Sequence, residues 1–241
     1  MIEINNLTCS YDKKTILKDI NLSINSHISI LGANGSGKST LAKSICKLTN
    51  FSGEILINSK NTKEITAIEM AKNISYIPSK LEIYDGFISI EEFVLQGRFP
   101  YKKGFFDYSD DDKSITKQTL ELLKLTHLKN NTVSSLSSGE QQLTLIAQAL
   151  TQQSKIIIFD EPTANLDPSN SKVIAQRIKS LKDYHQIILI THDLNLASFI
   201  QSDVVFIKNK SASFYEDNFF TNENLAKLYG VEFEALAVKY D

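Results

Sequence analysis

Two cysteines, Cys9 and Cys46, are all that this 241-residue chain contains. They stand too far apart for a zinc or redox spacing, which excludes a disulfide-stapled fold and suits a reducing compartment. Both read as small buried hydrophobes. Long apolar runs are missing too, since no window approaches the length that a membrane-spanning helix requires. Residues 1–6 carry no basic stretch leading into an apolar one, so no secretory signal is expected. If the chain serves a membrane, the expectation is that it does so from the cytoplasmic side through another subunit. Neither sign of charge dominates: 26 Lys and Arg face 28 Asp and Glu, a net charge of −2 with a pI near 6.1. That balance removes the global signal for nucleic acid or anionic lipid. Arg98 and Arg177 are the only arginines. Internal repeats, flexible linkers and low-complexity tracts are absent, so the length reads as one domain, or one domain with an inserted subdomain.

What is present begins with GANGSGKST over residues 32–40. It fits the phosphate-loop template Gly-x-x-x-x-Gly-Lys-Ser/Thr at Gly32, Gly37, Lys38 and Ser39. A short apolar run over residues 27–31 predicts a buried strand before it. Leu41, Ala42, Ile45 and Leu48 predict the apolar face of a helix over 39–48 after it. A triphosphate must be wrapped closely by main-chain N–H groups, and glycines let the backbone approach and turn without a Cβ in the way. Ala33, Asn34, Gly35, Ser36 and Thr40 complete the expected cradle, and the helix N-terminus adds donors and partial positive charge. Lys38 is expected to reach the β- and γ-phosphates, and the Ser39 hydroxyl to ligate Mg²⁺.

Around that loop, residues 1–30 alternate as antiparallel strands do. Residues 52–58 predict another strand, 64–72 a helix, and 74–77 a strand closed by Pro78. Helical spacing dominates 90–97, 108–125 and 139–150, which predicts a helical subdomain over about 79–150 inserted between core segments 1–78 and 151–241. The acidic run 107–112 reads as a solvated loop and helix start, with no metal implied. Strands at 156–159 and 187–190, each followed by a helix, argue for a parallel sheet covered by helices. Residues 203–208 and 211–215 predict a hairpin, followed by a helix over 223–229.

Ile156 to Phe159 run straight into Asp160-Glu161, which puts two carboxylates at the carboxyl end of a buried strand, the edge where open α/β sheets bind ligands. Asp160 is expected to hold Mg²⁺, and Glu161 to orient and deprotonate the attacking water. His192 follows another strand, where an imidazole can donate to a γ-phosphate; a structural role competes with that one. His27, His127 and His185 receive only the structural reading.

LSSGE at residues 136–140 narrows the choice. A Leu-Ser-x-Gly-Glu turn opening a helix, downstream of a phosphate loop and shortly before the acidic strand, resembles the signature of the ATP-binding cassette family, and the resemblance runs nearly end to end. It implies an α/β P-loop fold of the cassette ATPase type: a mainly parallel core, an antiparallel β subdomain and an inserted helical one. It also implies that Tyr11 stacks on adenine, that Asn165-Leu166-Asp167 forms the D-loop and that His192 is the switch histidine. Two subunits would close head to tail around two ATP molecules, so that Ser137, Ser138, Gly139, Glu140 and Asp167 of one subunit meet nucleotide held by the other. Further partners implied are membrane permease subunits and, indirectly, an extracellular binding protein, with no nucleic acid involved. Within the family, residues 97–101 with 104–106, residues 192–197 and the tail 221–231 are similar to importer ATPases for iron–siderophore, haem and cobalamin uptake.

Four positions depart from the family's pattern. Ser79 stands where the family places a glutamine that touches Mg²⁺ and the attacking water; a serine hydroxyl is shorter and would act through a bridging water. Ser138 and Glu140 replace the commonest Gly and Gln, and Gln141 stands where a basic residue is frequent. The leading expectation is an ATPase powering import of an iron-bearing chelate. Its competitors are a cassette ATPase of another metal or cofactor importer, an exporter or a soluble iron–sulphur assembly machine, and a regulatory nucleotide-binding module that hydrolyses ATP barely or not at all.

Overall fold

The computed structural model describes residues 1–12, 14–81, 86–104, 108–216, 219–230 and 240. Phe105, Phe106, Asp107 and Val231, each part of a segment singled out above, lie outside them. In chain order the elements are β1 (Ile2–Tyr11), β2 (Lys14–Ile24), β3 (Ile28–Leu31), α1 (Lys38–Ile45), β4 (Ser52–Ile57), β5 (Lys60–Asn61), α2 (Ala67–Asn73), β6 (Ile74–Ile77) and α3 (Ile90–Leu95). They continue with α4 (Asp110–Leu122), α5 (Ser138–Thr151), β7 (Ile156–Asp160), α6 (Pro168–Leu181), β8 (Gln186–Ile190), α7 (Leu194–Ile200), β9 (Asp203–Lys208), β10 (Ser211–Tyr215) and α8 (Asn222–Tyr229). The chain divides into two compact units, residues 1–65 with 175–241, and residues 66–174.

The first unit carries two sheets. One is antiparallel, in the order β2-β1-β4-β5, with alternating burial of Ile2, Ile4, Leu7 and Cys9 along its apolar face. In the other, β3 lies between β8 and β9 and runs parallel to both, while β10 returns antiparallel to β9. All four residues of β3 are buried, as a strand covered on both faces requires. The β9–β10 hairpin turns on Asn209 and Lys210, both at positive φ, the pairing that a two-residue primed turn demands.

α1 is shorter than its periodicity predicts, and this corrects the assignment of Leu48 to a buried face. The helix stops at Ile45; Lys47 takes φ 58°, its N–H donates to Ser44 O at 3.0 Å, and Leu48 N–H donates to Lys43 O at 2.8 Å. That bond pattern is a Schellman stop, and it leaves Leu48 61 % exposed. The left-handed position is occupied by lysine, so no glycine announced it.

The second unit is built largely from helices around the parallel pair β6 and β7, with Ile74 opposite Ile156 and Ile77 opposite Phe159. Four of its α-helices, α2, α3, α4 and α5, open with a capping box, made by Thr66/Glu69, Ser89/Glu92, Ser109/Asp112 and Ser137/Glu140. In each, the side chain of the cap residue accepts from the third helical N–H while the carboxylate accepts from the cap N–H, satisfying two helix-end donors at once. The expected helix over 64–72 begins at Ala67, behind the Thr66 cap. The run 90–97 is α3 followed by a 3-10 turn over Gln96–Tyr101, and the run 108–125 ends at Leu122 in a second left-handed stop at Lys124.

The acidic run is not wholly solvated. Asp112 is 5 % exposed, and Arg98 Nε donates to its Oδ1 at 2.7 Å. Arg98 Nη1 donates to Thr151 O and Gln153 Oε1, and its guanidinium stacks on Tyr101 at 3.9 Å. Burial pushes the Asp112 carboxyl up, but the bonds from Arg98 and Ser109 outweigh it and leave the pKa below its ordinary value. Three elements therefore meet on one guanidinium. Phe99, two residues from Tyr101, stays 65 % exposed.

Candidate functional site

The loop between β3 and α1 wraps back on itself. Ser36 N–H donates to Ala33 O at 3.1 Å, and the first helical bond runs from Leu41 N–H to Gly37 O at 2.9 Å. Gly37 caps α1 at φ 108°, a backbone region that L side chains rarely adopt. A Cβ on Gly37 would lie 2.9 Å from Leu17 Cδ2, and one on Gly32 would lie 2.5 Å from Ile207 O. The glycines are thus required by close approach of β2 and β9 as well as by the turn. Lys38 is 6 % exposed, and its ammonium donates to Gly32 O at 2.9 Å and Ala33 O at 3.2 Å. Ser36 Oγ is buried without a hydrogen-bond partner. With the first-turn N–H groups of α1, which have no intrahelical acceptor, these donors form a cradle of positive potential suited to phosphate. Tyr11, at the end of β1, is 48 % exposed, open enough to present a ring face.

The same unit brings His192 to this edge. β3 and β8 run parallel with Ile30 opposite Ile190, so the residues two positions on, Gly32 and His192, leave neighbouring strands in the same direction. Thr191 N–H still donates to Ile30 O, and His192 itself is exposed. Asp193 fastens the turn: its Oδ1 accepts from Asn195 and Leu196 N–H at the start of α7, and its Oδ2 accepts from the Tyr240 hydroxyl at 2.7 Å. His27 has the structural role expected of it, its Nδ1 accepting from Ile187 N–H. Both cysteines are buried, and burial pushes the Cys46 thiol up to about 12.

In the second unit, the β6–β7 register puts Ser79 and Glu161 on adjacent strand ends. Asp160 is 4 % exposed, and its Oδ2 accepts from the Tyr76 hydroxyl at 2.6 Å. A buried carboxylate with hard oxygen donors suits a divalent cation such as Mg²⁺. Glu161 takes φ 51°, an uncommon position for a long side chain and one that recurs at functional sites.

LSSGE forms the start of α5. Ser137 and Ser138 are exposed while Gly139 is buried, and Glu140 Oε2 accepts from Ser137 N–H at 2.8 Å and from its hydroxyl at 2.6 Å. Glutamate in place of the commoner glutamine therefore has a structural function in the capping box. The same bonds lower the Glu140 pKa. Asp167 occupies the corresponding position before α6: its Oδ1 accepts from Ser169 and Asn170 N–H. The Ser169 hydroxyl, with those N–H groups, holds its pKa down to about 2.

Sequence reasoning missed Tyr76, Asn170 and Tyr240. Tyr76 lies opposite Ile158, whose strand face Asp160 shares, but only knowledge that β6 neighbours β7 reveals it. Arg98 was visible as part of a family-like stretch, its pairing with Asp112 was not.

The sequence model of the family described as ABC transporter matches residues 17–164. A Helicobacter pylori protein named as a probable iron chelatin transport ATP-binding protein is 33 % identical over 244 residues, covering 98 % of this chain and 95 % of its own. A manganese transport system ATP-binding protein of Halalkalibacterium halodurans is 29 % identical, covering 95 % and 92 %. Among solved structures, an inward-facing ABC transporter assigned to the metal-chelate type superposes with a TM-score of 0.83 at 27 % identity, covering 96 % of this chain and 89 % of that one.

Proposed function

This chain belongs to the ABC transporter family, as an ATP-binding ATPase subunit, and from that premise we propose that it powers uptake of an iron-bearing chelate through membrane permease subunits. It works as a homodimer at the cytoplasmic face of the membrane, with an extracellular binding protein delivering cargo. The domain division we propose is a catalytic core over 1–78 and 151–241 with a helical subdomain over about 79–150.

The observation that carries the mechanism is the exposure of Ser137 and Ser138 at the N-terminus of α5, which leaves the turn open to a second copy. In the proposed cycle, residues 32–40 and Lys38 hold the phosphates of ATP, and Tyr11 stacks on its base. Ser137, Ser138, Gly139, Glu140 and Asp167 approach it from the other subunit. Ser39 and Asp160 would hold Mg²⁺, with Ser79 acting through a water; bound there, the ion would neutralise charge on the phosphate oxygens. Glu161 takes the proton of the attacking water, and His192 donates a hydrogen bond to the γ-phosphate.

The short side chain at position 79 is expected to slow the basal reaction. Ser79→Gln should raise the rate of phosphate release, by up to roughly 10²-fold if the missing amide acts as one preorganised partner, and should steepen the dependence on Mg²⁺. Unchanged turnover and Mg²⁺ dependence would remove Ser79 from the mechanism.

The cargo assignment draws on the iron chelatin relative; the manganese relative favours a bare metal ion as a second reading. Uptake of labelled ferric chelates and of labelled manganese, measured in cells with and without the chain, decides between them. Loss of chelate uptake alone supports the first reading, and loss of manganese uptake alone supports the second.

A further inference from the structure

Gly139 is buried because Asn170 sits on it. A Cβ built at Gly139 would lie 2.7 Å from Asn170 Cγ, 2.8 Å from its Oδ1 and 3.0 Å from its Nδ2, so the amide plane rests against the glycine's Cα. The amide is not loose. Its Nδ2 donates to Asp167 Oδ2 at 2.6 Å, and its main-chain N–H donates to Asp167 Oδ1 at 3.0 Å. Asp167 is held in turn by Ser169 N–H at 2.9 Å and the Ser169 hydroxyl at 2.6 Å. One short side chain therefore contacts the first turn of α5 and fixes the aspartate that opens α6.

These are the two segments of the second unit that the proposed dimer presents to the other subunit's nucleotide. We infer that Asn170 is a positioning residue that locks the LSSGE turn and Asp167 into one rigid surface for nucleotide bound in trans. The inference rests on the dimer reading above. The first-turn N–H groups of Ser138 and Gly139 have no intrahelical acceptor, and a hydrogen-bonding surface of this kind is effective only if its donors keep their direction. Glycine at 139 is thereby needed for Asn170 as well as for close approach of a ligand, since any side chain there would push the amide off Asp167.

The test uses the full-length chain with Glu161→Gln, whose ATP-dependent dimer can be counted without turnover. Asn170→Ala removes the amide. Asn170→Asp keeps its shape and places a carboxylate in the first turn of α6, which the helix dipole favours, but it sets that carboxylate against Asp167 and cannot donate to it. Both are expected to weaken ATP-dependent dimerisation by about tenfold, the equivalent of one strong hydrogen bond, with Asp at least as severe as Ala. Binding of a fluorescent ATP analogue to the monomer and the melting temperature of Asn170→Asp should stay near the parent's, which a merely structural role would not allow. Parent-like dimerisation in both variants, or monomer affinity falling in step with dimerisation, would overturn the inference while leaving the dimer reading intact. A Glu161→Gln parent that stays monomeric would overturn both.

Discussion

Glu161→Gln should lower ATP turnover by roughly 10²–10⁴-fold, the contribution expected of a positioned general base, while leaving the fold and ATP binding intact. The substitution preserves shape, so β7 and the turn at φ 51° should survive; what is lost is the carboxylate proposed to accept a proton from water. Asp160, one residue earlier, cannot substitute. It is 4 % exposed and accepts the Tyr76 hydroxyl, which holds it within the strand edge. Binding would then proceed without hydrolysis, and a dimer should accumulate with saturating ATP and Mg²⁺. Phosphate release gives the rate, and light scattering during size exclusion gives the mass. Turnover within tenfold of the wild type would remove Glu161 as base, and a variant that stays monomeric would refute the clamp.

Arg98→Ala should be the most destabilising single change in the second unit. It leaves Asp112 as a buried carboxylate without its cationic partner, a loss of roughly 3–5 kcal/mol in comparable pairs. The Ser109 N–H and hydroxyl still donate to Asp112 Oδ2, which argues for the lower end of that range. The loss of contacts to Thr151, Gln153 and Tyr101 pulls the other way. For a chain of this length the melting temperature should fall by roughly 6–20 °C. Lysine should rescue little, because a point charge cannot bond Asp112, Thr151 and Gln153 in one plane while stacking on Tyr101.

The pH dependence has a definite sign. In the wild type the Asp112 pKa is depressed, so its stabilising contribution is complete above the ordinary carboxylate pKa and is lost as pH falls through the folded value. In Arg98→Ala the burial and the Ser109 bonds remain but the guanidinium is gone, so the carboxyl pKa should rise from its wild-type value, and acidification should cost the variant less than the wild type. The stability gap between the two proteins should therefore shrink in urea unfolding as pH falls through the ordinary carboxylate range toward the depressed wild-type pKa. A gap that stayed constant on acidification would mean that Arg98 acts through packing alone. The double variant Arg98→Met with Asp112→Asn should regain most of the loss, because it removes both charges and keeps a polar cap for α4.

Much of the site was legible because its chemistry is local in sequence. The phosphate loop needs glycines and a lysine at fixed offsets, so residues 32–40 could be read before any fold was known. Each capping box in the second unit is likewise written as Ser or Thr followed three residues later by an acid, and Ser137/Glu140 was visible as part of LSSGE. The stops of α1, α4 and α5 were not legible. With nine glycines in the chain, left-handed positions fall to Lys47, Lys124, Gln153 and others, residues that carry no stop signal of their own.

The sequence by itself determined the elements whose cause lies within a few residues: the glycine cradle, the buried strands, the caps and the Asn209-Lys210 hairpin. Tertiary structure alone decided which of these meet. Strand pairing set Gly32 beside His192, and Ser79 beside Glu161. Folding also brought Tyr76 to Asp160, Arg98 to Asp112, Asn170 to Gly139 and Tyr240 to Asp193. The physical reason is that hydrogen bonds and burial act over a few ångströms whatever the separation along the chain, so a partner dozens of residues away leaves no periodic trace in the sequence that it serves.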